Sequence, residues 1–340
     1  MTGAALLLRR RLPSAAWVLP PILAALFLMG LGLGASFLPP DRVFAALTGT
    51  GVRSDGIIVW NLRMPRVLMA MLAGGALGLA GFLLQRATRN PLAAPATLGI
   101  VDGAALGVLT FLWAFSDEAN ALTVPILWQP AAAAAGALIF AAAVAWLARR
   151  DLGGPLRLIL YGIALGALAD ALVTLMMVAG PVYRAGQALI WLAGSVHTAS
   201  WFEVTLLSSV VAVALVGAVP LMRPLDNLRC DDATAAAQGV NVMLTRGAAI
   251  GLAVLLTAAA VSVAGGIGFV GLVAPHLARR IAPSGTGAQA LTTLGCGAGI
   301  VAAADILARL AFAPLEIPTG AVTAMIGVPV LLLLLLRGRG

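Results

Sequence analysis

The sequence predicts an all-α, polytopic membrane protein. Hydrophobic residues make up 61% of the 340 positions and charged residues only 10%, a balance that a soluble globular domain does not need. Apolar runs of about 20 residues, each long enough to cross a bilayer as a helix, recur along the chain between short loops. Because about ten such runs account for nearly the whole length, residues 1–340 are expected to form a single transmembrane domain, with no separate catalytic domain.

The charged and reactive residues exclude several functions. All 21 basic residues are arginine, and a P-loop needs a lysine, so the chain is not expected to be an ATPase. The arginines are scattered between apolar runs, which argues against nucleic acid as a partner despite the net charge of +8. Cys230 and Cys296 are far apart, and His197 and His276 lack acidic or cysteine neighbours, so neither a metal site nor a cofactor is expected. His276 is expected to cap or pack a helix.

The first five spans follow from the alternation of apolar runs with loops that carry arginine. Three arginines at positions 9–11 place the N-terminus in the cytoplasm, where basic loops are retained. The apolar run after them covers about 22 residues, longer than the core of a signal peptide, and is expected to remain as a span. The predicted spans are residues 17–38, 67–84, 93–115, 126–147 and 158–178.

A segment that is too polar to span follows at residues 180–201 and is expected to form a short re-entrant helix. The later spans are predicted at residues 202–219, 248–263, 265–280, 290–311 and 321–336, the third of these shortened by Pro275. With both termini cytoplasmic, 15 arginines lie inside and six outside. The six outer arginines are Arg42, Arg53, Arg63, Arg66, Arg184 and Arg309.

A polar, alanine-rich stretch, RCDDATAAAQG at residues 229–239, separates two long apolar runs. Asp231 and Asp232 can accept the free N–H groups at a helix start, the alanines favour a helix, and Gly239 suits the left-handed residue beyond its end. A helix of about two turns with almost no apolar face is unstable by itself. It therefore needs a partner surface or a supporting scaffold.

Three aspartates, Asp102, Asp170 and Asp305, lie inside predicted spans, where a carboxylate is a functional hypothesis by default. They would serve a proton relay, but Asp305 and Arg309 are four residues apart on one helix face and can pair with each other. Glycines four residues apart would also let helices pack closely. These pairs are Gly30 with Gly34, Gly74 with Gly78, Gly103 with Gly107, Gly162 with Gly166, and Gly295 with Gly299.

Long segments of the chain resemble the FecCD family of permease subunits, which belong to ABC importers for ferric siderophores, haem and cobalamin. The resemblance rests on RMPRVLMAMLAGGALGLAGFLLQRATRNPLAAPATLGIVDGAALG at 63–107, on GGIGFVGLVAPHLAR at 265–279, and on Asp305, Arg309 and EIPTGAVTAMIGVP at 316–329. These motifs occur in order and cover nearly the whole chain. Asp102 departs from the pattern, which more often has a small or amide residue there.

The resemblance implies a ten-helix subunit of the bacterial inner membrane that pairs with a second permease, the same or related. Its other partners would be membrane lipid, two cytoplasmic ATPase subunits that bind ATP and Mg, and an extracytoplasmic substrate-binding protein. Residues 223–243 would couple the permease to the ATPase, through Arg229, Asp231, Asp232, Ala235, Gln238 and Gly239. The binding protein would dock on Arg63, Arg66 and Arg309. A mostly apolar path opening by alternating access would include Met176, Met177, Gly194 and Ser195.

Alternatives remain open from the sequence. The RNPLAAP and LGI patterns favour a ferric siderophore as substrate over cobalamin or haem. A proton-coupled secondary transporter would use the intramembrane aspartates and need no ATPase. A membrane scaffold without transport activity would need the apolar spans but not the ordered motifs.

Overall fold

The computed structural model of the chain describes residues 15–34, 36–117, 121–149, 155–179, 182–283, 285–311 and 317–336. Within these ranges the chain forms 15 α-helices and no β-sheet. The first eight helices are α1 Leu19–Gly32, α2 Pro40–Thr48, α3 Arg53–Ile57, α4 Met64–Thr88, α5 Ile100–Ala114, α6 Gln129–Ala148, α7 Pro155–Ala179 and α8 Val182–Ala193. The others are α9 Trp201–Ala218, α10 Met222–Asn227, α11 Asp232–Ala237, α12 Val242–Ala264, α13 Val270–Ile281, α14 Thr286–Leu310 and α15 Thr319–Leu336.

The all-α, polytopic membrane architecture is confirmed. Six described helical segments are long and apolar enough to cross a membrane: Arg53–Thr88, Ile126–Ala148, Arg157–Ala179, Trp201–Asn227, Val242–Ala264 and Thr286–Leu310. Three shorter apolar helices, Leu19–Gly32, Ile100–Ala114 and Thr319–Leu333, occupy other predicted spans, and α13 occupies the short span. The arginines at 9–11 and at 337 and 339, on which both cytoplasmic termini were predicted, lie outside the described residues.

Two span boundaries differ from the prediction for local reasons. The helix expected from residue 93 begins only at Ile100, because Pro95 opens a short 3-10 helix and Gly99 then takes a left-handed conformation with φ of 67°. The first span, expected to reach residue 38, ends at Gly32. Its terminal carbonyl groups accept hydrogen bonds from arginine side chains of other helices, so the helix can end there without orphaned acceptors.

Helix α4 is the centre of the fold. Nearly all of it is buried, and it packs against α14, α12 and α13. It approaches α14 where a Cβ on Gly74 would overlap the backbone of Gly297, and it approaches α13 where Gly81 faces Gly271. The predicted close packing at glycines is therefore confirmed here, since any larger side chain would force the helices apart.

Other glycine pairs differ in what they contact. The pair at 103 and 107 faces α6, and the pair at 162 and 166 on α7 faces the turn before α5 and the first turn of α5. The pairs at 30 and 34 and at 295 and 299 face side chains instead. Only part of the spacing pattern therefore marks contacts between backbones.

A proline within α13 links this helix to α4. Pro275 has no N–H, so the carbonyl of Gly271 lacks its usual helical partner. Gln85 of α4 donates to this carbonyl at 3.4 Å, and Arg279 donates to Oε1 of Gln85 at 2.7 Å. His276 is partly buried, and its Nδ1 lies 2.8 Å from the carbonyl oxygen of Leu272, which agrees with the predicted capping or packing role.

The segment expected to be re-entrant forms the amphipathic helix α8, which ends at Ala193 and is followed by Gly194. Gly194 has φ of 71°, and a Cβ there would lie 2.8 Å from the carbonyl carbon of Gly266. Its carbonyl accepts the N–H of Gly320 at 2.9 Å, and Ser195 donates its N–H to Ala264 at 2.9 Å. Backbone contacts thus join α8 to the end of α12 and the start of α15.

Candidate functional site

Two groups of charged side chains lie at opposite ends of α4. The Asp305 cluster consists of Arg66, Asp305 and Arg309, and the Asp232 cluster consists of Arg89, Asp232 and Arg246. Arg66 lies in the first turn of α4 and Arg89 is its C-cap residue. At 1.5 Å per residue, their backbones are about 35 Å apart, which is more than the thickness of a membrane's hydrocarbon core.

The Asp305 cluster places one carboxylate between two guanidinium groups. Arg66 Nε and Nη2 each lie 3.0 Å from Asp305 Oδ1, and Arg309 Nη2 lies 3.0 Å from Oδ2. The Asp305 side chain is 1% exposed, and those of Arg66 and Arg309 are 8% and 6% exposed. His197 contributes Nδ1, 2.9 Å from Arg66 Nη1. A carboxylate this deeply buried needs such partners, because an isolated buried charge is very costly.

Arg63 and Arg309 complete this end of the bundle by capping α1. Arg63 Nη1 donates to the carbonyl groups of Leu31 and Gly32 at 2.7 and 2.8 Å, and its Nη2 donates to Ser36. Arg309 Nη1 donates to the carbonyl of Gly30 at 3.2 Å. Cations at a helix C-terminus satisfy free carbonyl groups and the negative end of the helix dipole. These arginines therefore hold α1 against α4 and α14.

The predicted docking arginines thus have partners inside the chain. The pairing of Asp305 with Arg309 is confirmed. Docking would need accessible cations, but Arg63, Arg66 and Arg309 are buried within this chain. Their role in docking stays a prediction. The partnership of Arg66 with Asp305 was missed, because the two residues are 239 positions apart and no local pattern connects them.

The Asp232 cluster fixes the predicted coupling segment to the bundle. Asp232 Oδ1 lies 2.5 Å from Arg89 Nη2 and 3.0 Å from Arg246 Nη2. Arg89 Nε also donates to the carbonyl of Leu228 at 2.6 Å, and Arg246 Nε donates to the carbonyl of Ala87 at 2.9 Å. One carboxylate in α11 is therefore bound to the end of α4 and to the first turns of α12.

The local geometry of the coupling segment is as predicted. Asp231 is the N-cap of α11 and accepts the N–H of Thr234 at 2.6 Å, and Gly239 has φ of 82°. Ala235 is fully buried, while Gln238 and Arg229 are exposed. Arg229 Nη1 lies 3.7 Å from Asp226 in α10. The scaffold that this short helix needs is supplied by the chain's own α4 and α12.

Both aspartates at the start of α11 have pKa values below the ordinary value for aspartate. Backbone and side-chain hydrogen bonds from Thr234 hold the pKa of Asp231 below its ordinary value. For Asp232, partial desolvation raises the pKa, but the hydrogen bonds and charges of Arg246 and Arg89 outweigh it, so the pKa is lowered. Both side chains are therefore ionised at neutral pH.

The predicted path residues fall into two environments. Met176 and Met177 are partly buried and pack against the core from α7. Gly194 and Ser195 belong to the junction of α8, α12 and α15, where their backbone groups are hydrogen-bonded. The structure thus gives Gly194 a packing function, and a lining role for these four residues stays a prediction.

The other two aspartates in predicted spans, Asp102 and Asp170, have surroundings different from those of Asp305. Asp102 is half-buried on α5, and its Oδ2 lies 2.7 Å from the position of a Cβ on Gly166, so the glycine makes room for the carboxylate. Asp170 is exposed on α7. Among the described residues, no group of three or more His, Cys, Asp or Glu side chains could hold a metal ion.

Comparisons with known proteins agree with this architecture. The chain is 39% identical over 322 residues to the probable siderophore transport system permease protein YfhA of Bacillus subtilis (strain 168), covering 95% of this chain and 94% of that protein. It is 38% identical to the ferric enterobactin permease protein FepG of Escherichia coli (strain K12), with 91% of each chain covered. The vitamin B12 permease protein BtuC of Vibrio cholerae serotype O1 is 32% identical, over 97% of this chain and 96% of that one.

A solved structure described as an inward-facing conformation of a metal-chelate type ABC transporter has the same fold. It superposes with a TM-score of 0.84 at 27% identity, covering 96% of this chain and 99% of the other. The family model of the FecCD transport family matches residues 22–337. With the family's motifs in order and nearly the whole length matched, the chain belongs to the FecCD transport family.

Proposed function

We propose that this chain is the permease subunit of an ATP-driven importer of iron–siderophore complexes in the bacterial plasma (inner) membrane. It would cross the membrane ten times as a single domain, with α8 re-entrant and both termini cytoplasmic. The Asp232 cluster then lies inside the cell and the Asp305 cluster outside. The main structural support for the proposal is α11, a short capped helix that is bound to the inner ends of α4 and α12. A helix placed in this way can be displaced by a protein that binds it.

Transport would follow from the movement of α11. A second permease would complete the path, and two ATPase subunits would bind ATP and Mg and dock on exposed Arg229, Asp231 and Gln238. Closure of the ATPase pair would displace α11 and, through it, α4 and α12. Rigid-body motion of packed helices can open a path first to one side and then to the other.

Docking of the binding protein is proposed at the outer end, on Arg63, Arg66 and Arg309. Their cations lie close together, which would favour acidic residues of a binding protein and speed encounter. Because the arginines are buried, docking would require an exchange of internal acceptors for the partner's carboxylates. Arg63 can be changed with the least effect on the Asp305 ion pairs, since its hydrogen bonds go to Leu31, Gly32 and Ser36 rather than to Asp305.

The docking proposal can be tested with Arg63→Gln, which keeps a hydrogen-bond donor but removes the charge. We expect weaker binding of the binding protein to the reconstituted transporter and unchanged basal ATP hydrolysis. Arg63→Lys, which keeps the charge, is the matched control. If the Arg63→Gln transporter binds the binding protein normally, or fails to assemble, the docking role is refuted. Arg63 would then only stabilise the end of α1.

The relatives favour a siderophore over cobalamin as substrate. The proteins named for siderophore and enterobactin transport are 39% and 38% identical to the chain, and the protein named for vitamin B12 transport is 32% identical. Haem import by the same mechanism remains an alternative. Binding of ferric siderophores, haem and cobalamin to the partner binding protein, measured by calorimetry, would discriminate among them.

The transport proposal is tested in proteoliposomes that contain the permease, its ATPase and its binding protein. We expect uptake of a radiolabelled ferric siderophore that requires ATP and persists when a proton ionophore is added. A proton-coupled secondary transporter, which would use Asp102 and Asp170, predicts the reverse. Uptake that survives ATP depletion and collapses with the proton gradient would therefore overturn the proposal, as would purification without any ATPase subunit.

A further inference from the structure

We propose that Arg89 and Arg246 are positioning residues for energy coupling, and that they transmit the displacement of α11 to α4 and α12 through Asp232. The inference rests on the proposed function and adds the route by which α11 acts on the bundle. Neither arginine belongs to the coupling segment, and both reach it from spanning helices.

Three hydrogen-bonded links make this route continuous. Asp232 bridges Arg89 and Arg246, Arg89 Nε binds the carbonyl of Leu228 before α11, and Arg246 Nε binds the carbonyl of Ala87 in α4. The ends of α4, α11 and α12 are therefore joined at a single carboxylate. Charge-assisted hydrogen bonds are among the stronger and more directional noncovalent contacts. A displacement of α11 should therefore move the ends of α4 and α12 with it.

Apart from the ion pairs of Asp232, helix α11 makes few contacts with the bundle. It contains six residues, of which Ala235 is the buried one, and turns flank it on both sides. A buried methyl group is a small contact, and a helix of this length is not stable without support. If the Asp232 links were absent, a push on α11 would be absorbed by its flanking turns.

The backbone of Arg89 indicates that its side chain matters at this position. Arg89 ends α4 in the left-handed region, with φ of 52°. Glycine is the residue most often found at such a helix end, and a long side chain there is uncommon. Strained positions persist where the surrounding contacts hold them. Here the contacts are those of the guanidinium group with Leu228 and Asp232.

Arg246 is more deeply buried than the other two members of the Asp232 cluster. Its side chain is 4% exposed, while those of Arg89 and Asp232 are 31% and 40% exposed. Removal of Arg246 would leave the carbonyl of Ala87 without this donor and could prevent folding. Arg89 is therefore the better position for a test, since glycine fits its backbone conformation and removes only the side chain.

The experiment compares Arg89→Gly, Asp232→Asn and the double variant with the wild-type protein in the reconstituted transporter. The measured quantity is the number of ferric siderophore molecules imported per ATP hydrolysed. We expect each single variant to lower this ratio about fivefold, the effect of a lost interaction of moderate strength. We expect the double variant to lose less than the sum of the two single losses, because either substitution alone already breaks the contact between Arg89 and Asp232. Arg280→Gln, which removes an exposed arginine at the end of α13, is the matched control and should leave the ratio unchanged.

Copurification of the ATPase and thermal stability of the complex separate positioning from folding. A purely structural role predicts less assembled complex but a normal ratio in the assembled fraction, which would overturn the proposal. Additive losses in the double variant would also overturn it. If the wild-type complex itself shows no ATP-dependent uptake, the proposed function fails rather than the route through Arg89. Coupled wild-type transport with an unchanged ratio in Arg89→Gly refutes the route alone.

Discussion

The Asp305 cluster predicts a large loss of stability from a single isosteric change, Asp305→Asn. The carboxylate is 1% exposed and lies 3.0 Å from both Arg66 and Arg309, which are themselves buried. The variant would leave two buried cations without their shared anion. Removing one partner from a buried ion pair costs about 3 to 5 kcal/mol. For a chain of this size, the corresponding fall in melting temperature is about 5 to 10 °C.

The assay is the melting temperature of the detergent-solubilised permease, followed by size-exclusion chromatography after heating. Asp170→Asn is the matched control, because Asp170 lies in a spanning helix but is exposed. A second variant, Asp305→Asn with Arg66→Gln, removes one of the stranded cations and should recover part of the loss. Equal melting temperatures for Asp305→Asn and the wild type, or an equal loss in Asp170→Asn, would refute the assignment of Asp305 as a buried ionic link.

Three further predictions concern α11 and helix packing. Ala235→Pro should uncouple ATP hydrolysis from uptake in proteoliposomes, because proline breaks the short helix at its buried residue; unchanged transport would remove the assignment. The pKa values of Asp231 and Asp232 are lowered in the folded state. The ionised carboxylates therefore stabilise the fold fully at pH values above their unfolded-state pKa of about 4. This stabilisation is lost as the pH falls through the lower folded-state pKa values. Imported substrate per ATP should accordingly be constant from about pH 6 to 8, and a change over that range would contradict it. Gly81→Ala should lower the melting temperature because a Cβ there meets the backbone of α13, whereas Gly251→Ala, with open space around it, should be neutral or slightly stabilising; equal effects would contradict the packing.

Local physical chemistry was enough to predict α11. The N-cap carboxylate of Asp231, the alanines and the left-handed Gly239 act within a few residues of one another, so their pattern could be read along the chain. The same holds for the pairing of Asp305 with Arg309, one helical turn apart. The overestimated first and third spans show the limit of such patterns, because hydropathy continues past the positions where Gly32 and Pro95 end or delay a helix.

The sequence by itself determined the all-α membrane class, the order of the apolar helices, the position of the short capped helix α11 and the need of α11 for support. Tertiary structure decided what supports it, and which charges meet: Arg66 with Asp305, 239 positions away, and Arg89 with Leu228, 139 positions away. It also decided that the predicted docking arginines are buried. The physical reason is that helix formation depends on neighbours in the chain, whereas the burial and pairing of a charge depend on which helix faces pack together.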